Sequence, residues 1–124
     1  MWFCRIDSNA MRIVNFYQAE APALDGDLEF PCEPSGSFYE PIKDPETGVI
    51  SLVENIQKKT QAAWSALRAQ RNSLLVASDY TQLQDAHLSA EKKSAWADYR
   101  QSLRDLPENA TDPTQVTWPV SPSQ

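Results

Sequence analysis

The chain has 124 residues, enough for one modest hydrophobic core and too few for two full domains. Apolar residues make up 41% and charged residues 23%, ordinary globular values, with a net charge of -6. That balance argues against a nucleic-acid binder, whose phosphate contacts need clustered Lys and Arg, and no stretch approaches the roughly 20 apolar residues that span a bilayer.

The charge is unevenly spread. Residues 1–49 carry three basic and nine acidic side chains, residues 50–106 eight basic and six acidic, and the stretch from Pro107 onward only Glu108 and Asp112. The plainest reading is solvated charge that keeps the protein soluble. Cys4 and Cys32 are the two cysteines and form no CxxC pair. With no basic-then-apolar leader at the N-terminus, they are expected to be reduced thiols in a cytoplasm, packed as small apolar groups. A Cys4–Cys32 disulfide is the alternative.

Three regions follow from the pattern: a β-rich, proline-punctuated region over 1–49, a helical hairpin over 50–107 and an extended tail over 108–124. At the start, Phe3–Ile6 and Met11–Val14 are rich in strand-forming residues, and Asp7-Ser8-Asn9-Ala10 can turn between them, with Asn9 the residue that tolerates positive φ. Ser8-Asn9-Ala10-Met11 has a second reading, a vector-derived scar before an initiator Met, but residues 1–7 continue the strand pattern and favour a natural hairpin. Residues 18–48 hold Pro22, Pro31, Pro34, Pro41 and Pro45 with Gly26, Gly36 and Gly48, a density that forbids a long helix. Leu28–Phe30 and Ser37–Tyr39 are candidate short strands, and Asp44-Pro45-Glu46-Thr47-Gly48 reads as a turn.

From Ser51 the texture becomes helical. Val53, Ile56, Thr60, Ala63, Leu67, Leu74 and Ala77 share a 3-4 spacing, and Glu54 precedes Lys58 by the four residues that suit a helix-surface pair. One long helix over about 50–77 is predicted. The second helix begins at Ser89, an N-cap whose hydroxyl can accept from the first turn, with Glu91 at the positive end of the dipole. Trp96, Tyr99, Leu103 and Leu106 form its apolar seam, Arg100 and Arg104 sit near its C-terminal end, and Pro107 is expected to stop it. Joined by Asp79–Leu88, the two helices should pack antiparallel, bringing Leu67, Leu74 and Leu75 to Trp96, Tyr99 and Leu103. Residues 112–120 either lie along the helices, anchored by Trp118, or hang free. The fold class is therefore α+β: a small N-terminal β-hairpin or β region, a long-helix antiparallel α-hairpin and an extended C-terminal tail.

Three groups of residues in this half are familiar. Leu74, Leu75, Ser78, Asp79, Thr81, Gln82, Leu83, Asp85 and Leu88 fit R-x-x-LL-x-x-SDWTQL-x-D-x-x-L. Ala95, Trp96, Tyr99, Arg100, Gln101, Leu103, Arg104, Asp105, Leu106 and Pro107 fit AWxxYRQxLRDLP, and Trp118-Pro119 with Val120 and Pro122 fits a WPxxP ending. From about Gln70 onward the chain resembles the phage tail assembly chaperone or tail-fibre assembly family. Tyr80 stands where that family has Trp, and His87 where Pro is expected. The resemblance implies a protein of tailed phages or prophages that helps a tail or tail-fibre protein fold or assemble, by stoichiometric binding and without cofactor. It implies a place in the bacterial host cytoplasm during assembly. A structural part of the tail, retained in the virion, is the alternative.

The residues themselves suit protein binding. Aromatic and arginine side chains make good contact anchors, and Trp64, Arg68, Arg71, Tyr80 and Trp118 are the candidate partner-binding residues, each also able to serve the core or the surface. Trp96, Tyr99 and Leu103 read as hairpin core. Catalysis is not expected: His87 is the one histidine, no Ser or Cys is spaced for a nucleophile–base pair, and no glycine-rich phosphate loop occurs. Neither is a metal site, since Asp25-Gly26-Asp27 lacks the ligand series of a calcium loop. Self-association is left open.

Overall fold

The computed structural model describes residues 1–123. Met1–Lys59 forms one compact unit and a second begins at Thr60. In the first unit β1 (Trp2–Asp7) is the middle strand of a three-stranded sheet, flanked antiparallel by β2 (Arg12–Gln18) and β3 (Leu28–Phe30). The expected N-terminal hairpin is thus present and gains a third strand. The Asp7 carboxylate accepts from the N–H groups of Asn9 and Ala10, closing the turn. Positive φ falls on Met11, at 50°, rather than on Asn9. A bulge between Arg5 and Ile6 breaks the register of the pair, the usual way a strand edge is bent out of line.

A second hairpin follows, β4 (Tyr39–Lys43) with β5 (Ile50–Glu54). The turn is the one the sequence marks: Asp44 accepts from Glu46 N–H and Thr47 N–H, and Gly48 takes φ 73°. Within this unit β2 runs beside β4 and β3 beside β5. Phe3, Cys4 and Phe30 are buried, and burying such side chains stabilises by about 2 kcal/mol each. Phe30 meets Phe16 edge-on at 5.0 Å and Tyr39 at 5.5 Å, which ties the two hairpins together. Cys4 is buried and Cys32 exposed, and both are free thiols.

The expected fold class needs correction. The chain is α+β with N-terminal strands and two helices, but not a long-helix hairpin with an extended tail. Residues 50–54 form β5, so α1 runs from Ile56 to Ala77. The Gly48 turn sets Ile50, Leu52 and Glu54 on the more buried side of the strand, and pairing with β4 outweighs a helix-compatible spacing. Asn55 then caps α1, its side chain accepting from Lys58 N–H at 3.0 Å. Glu54 consequently pairs with Lys59, and Lys58 with Glu40. The seam expected on α1 is also wrong in part: Ile56, Thr60 and Ala77 are exposed, and Leu67 is the buried residue.

Helix α2, Ala90–Asn109, has 20 residues and passes through Pro107 instead of ending before it. Proline's fixed φ fits a helix, so in the last turn it costs chiefly one absent N–H donor. Ala110 N–H still reaches the Leu106 carbonyl at 3.1 Å. The residues after α2 do not extend away. Asp112 accepts from Thr114 N–H and Oγ1, turning the chain, and Trp118 packs on the cluster of Trp96, Tyr99 and Leu103.

Candidate functional site

A cluster of side-chain hydrogen bonds in the helical unit lies where α1 ends. A helix terminus leaves its last carbonyls without intrahelical donors. Here Ser78 Oγ donates toward the Leu74 and Leu75 carbonyls at 2.9 and 3.1 Å. Arg100, projecting from α2, donates through Nη1 to the Leu75 carbonyl at 2.6 Å and to Ser78 Oγ at 2.8 Å, and through Nη2 to Asp79 at 2.7 Å. A cation at a helix C-terminus is favoured by the dipole, and the guanidinium fork lets one side chain satisfy three acceptors. Arg100 is buried while Asp79 is largely exposed.

The chain next makes a 3₁₀ turn, Asp79–Gln82, in which Thr81 is fully buried and donates to the Ser78 carbonyl at 2.6 Å. Gln82 donates to Thr81 Oγ1 at 3.1 Å, and Lys93 donates to the carbonyls of Leu83 and Gln84. Ser89 accepts from Lys92 N–H at 3.2 Å and starts α2 as expected. The Ser-Asp-x-Thr-Gln stretch and the Tyr-Arg pair are therefore halves of one internal joint. Sequence reasoning assigned Arg100 only to its own helix end and missed this. The signal was there: Arg100 shares the 3-4 spaced seam of Trp96, Tyr99 and Leu103, and an arginine among core positions needs acceptors.

The five candidate contact residues fall in three places. Trp64 and Arg68 lie on α1 with the guanidinium 5.7 Å from the indole centre, close enough for a cation–π attraction of about 0.5–1 kcal/mol. They line a groove of about 600 Å³ with Gln61, Ser65, Pro107 and Ala110. Arg71, half-buried, donates through Nε and Nη2 to Asn72 Oδ1. Helix α1 carries four basic residues and no acidic one. Among the described residues neither Arg68 nor Arg71 has a carboxylate partner. Tyr80 is exposed and stands between two cavities of about 240 and 560 Å³. Trp118 is half-buried on the core cluster, so a large part of it is spent on packing.

In the strand unit the notable polar cluster centres on Asp27, whose side chain is 3% exposed. Arg5 binds both its oxygens, at 3.1 and 3.0 Å, and Tyr17 Oη donates to it at 2.6 Å. The Arg5 guanidinium, then the Tyr17 hydroxyl, hold the Asp27 carboxyl down at about 2. Every one of these groups is engaged within the unit, as a structural clasp would be. Among the described residues there is no group of three or more His, Cys, Asp or Glu placed to hold a metal ion. Among them also, no helix is long and apolar enough to cross a membrane.

The helical unit is thus a small scaffold whose Arg100 contacts face inward, with Arg68 and Tyr80 exposed and Trp64 half-buried on α1. Residues 64–123, just under half of the chain, match the family described as phage tail assembly chaperone protein. No curated protein and no solved structure matches the chain.

Proposed function

We propose that the chain is a tail assembly chaperone that binds a phage tail or tail-fibre protein stoichiometrically, without catalysis and without cofactor, in the host cytoplasm during assembly. The observation that carries this reading is the family match over the helical unit, together with the acid-free surface of α1. Incomplete tail proteins expose strand edges and apolar patches that invite aggregation. A binder holding them needs outward anchors on a rigid support. Trp64 with Arg68 supplies one such anchor, Arg71 extends it along the same helix, and Tyr80 supplies another at the joint. Trp118 contributes through the part of its ring that packing leaves uncovered. Because α1 brings only positive charge, the partner surface facing Trp64 and Arg68 is one with carboxylates.

The test is co-expression of the tail-fibre protein encoded beside this chain, with and without it. The expected result is a fibre protein that is soluble only in its presence and co-purifies with it, while finished particles lack the chain. A fibre protein that folds alone, with the chain retained in particles, would establish a structural tail component instead.

A further inference from the structure

After the turn at Asp112 the chain runs back along α2 toward the joint. Val116 and Thr117 line a groove with Leu106, Asn109 and Ala110 at the end of that helix. Trp118 packs on Trp96, Tyr99 and Leu103, and Ser121 lies beside Leu74, Ala77 and Tyr99. The apolar seam of the helical unit is therefore covered by the chain's own extended stretch. What holds this cover is unusual. Among the described residues, 116–123 make no hydrogen bond, main-chain or side-chain. Pro119 and Pro122 also remove two N–H donors. Half-buried Val116, Pro119 and Pro122 are offset from exposed Thr117, Val120 and Ser123, the three-residue spacing of a polyproline II strand, whose backbone groups are left to water. Val120 is 89% exposed and adds nothing to the hold. Side-chain packing alone keeps the stretch in place, and Trp118 is its one large anchor. A segment with few buried apolar contacts and no hydrogen bonds opens at lower free energy than the helices beneath it.

We propose that residues 116–123 are an autoinhibitory strap. In the free chain they cover the seam of Leu74, Trp96, Tyr99 and Leu103. They swing out about the Asp112–Thr114 turn while the helices stay folded, and so release that seam to the tail protein. The joint makes such an opening separable from unfolding. Arg100 holds the end of α1 to α2 through Leu75, Ser78 and Asp79, none of which belongs to the strap. An apolar face left permanently open invites association with whatever it meets, and a cover drawn from the same chain prevents that. A partner then gains the seam only by binding the open form more tightly than the closed one. This inference rests on the reading of the chain as a binder of tail proteins and adds how its apolar face is regulated.

The experiment uses the full chain and its Trp118→Ala variant, with a fluorescein-labelled peptide of the sequence of residues 112–123 as the probe. Trp118→Ala should keep its helical circular dichroism and raise the emission of an apolar-surface dye several-fold. It should also bind the peptide saturably, with displacement of the dye. The unaltered chain, whose own strap fills the seam, should bind the peptide at least tenfold more weakly. The same peptide carrying Trp118→Ala should not bind. If the Trp118→Ala chain does not fold, the double variant Pro119→Gly and Pro122→Gly, which loosens the strap and keeps Trp118, gives the same comparison. The proposal is overturned by equal peptide affinity for the unaltered chain and the variant, by binding to neither, or by helices that melt in both variants. It is overturned too if the peptide dissociates a dimer of the unaltered chain, which would make the stretch an exchange between copies. Since no tail protein takes part, a failed co-expression with the strap result intact removes only the chaperone reading. The converse removes only the strap.

Discussion

The two units of this chain spend their charged residues differently. In the strand unit the cluster at Asp27 joins β1, β2 and the segment before β3, and its acidic centre is closed off by Arg5 and Tyr17. In the helical unit Arg100 is the buried centre, a cation holding the end of α1 to α2. The first is an anion caged by donors, the second a cation held by a carbonyl, a hydroxyl and a carboxylate, and each substitutes for core that a unit of this size has in short supply. The family match lies over the second unit alone. A residue in a family motif is therefore as apt to be part of the joint as part of the contact surface. Ser78, Asp79, Thr81, Gln82 and Arg100 belong to the joint, whereas Arg68 and Tyr80 are exposed and Trp64 is half-buried.

The largest effect should come from the core that the joint supports. Leu103 is fully buried, so Leu103→Ala is expected to destabilise the helical unit by about 2–5 kcal/mol, read as faster amide exchange across α1 and α2. Arg100→Gln comes next, at about 2–3 kcal/mol, because the Leu75 carbonyl and Ser78 lose a charged donor in a buried setting. Arg100→Lys should recover little, since an ammonium cannot reproduce the fork. Full recovery by lysine would mean that charge alone, and not the joint's geometry, matters.

The strand unit should answer to acid instead. Asp27 titrates at about 2, below the usual carboxylate value near 3.8. A depressed folded-state value means that the carboxylate stabilises the fold fully above about pH 4, and that this contribution is lost as the pH falls through about 4 to 2. Acid titration followed by the near-ultraviolet signal of Tyr17 and its aromatic neighbours should show a transition in that window. Asp27→Asn should be less stable at pH 7 and lack that part of the acid response. Smaller again, Ser89→Ala should cost about 1 kcal/mol through loss of the α2 cap. Finally, burial pushes the Cys4 thiol up while Cys32 is exposed, so a thiol reagent at pH 8 should label Cys32 promptly and Cys4 only on unfolding.

How far each unit could be read beforehand follows the same division. Local chemistry is legible in the sequence: the Asp44–Gly48 turn, the Leu28–Phe30 strand and the Ser89 cap each depend on a few neighbouring residues. The failures came where distant partners decide. Residues 50–54 fit a helical spacing and still became a strand, because β4 lies across the turn from them. Pro107 was read as a stop by its local rule, yet the helix continues for two residues beyond it. Arg100 was visible as a charge near a helix end, but its acceptors are more than twenty positions away.

The central claim is that the chain binds a tail protein in fixed proportion through outward residues that the joint only supports. The most direct measurement is competition on the tail-fibre complex purified after co-expression, challenged with rising amounts of labelled free chain or of its Trp64→Ala, Arg68→Ala and Tyr80→Ala variants, each shown to be folded by circular dichroism. The account predicts saturation at a fixed stoichiometry and at least tenfold weaker binding for Trp64→Ala or Tyr80→Ala. Undiminished binding by all three variants would contradict it.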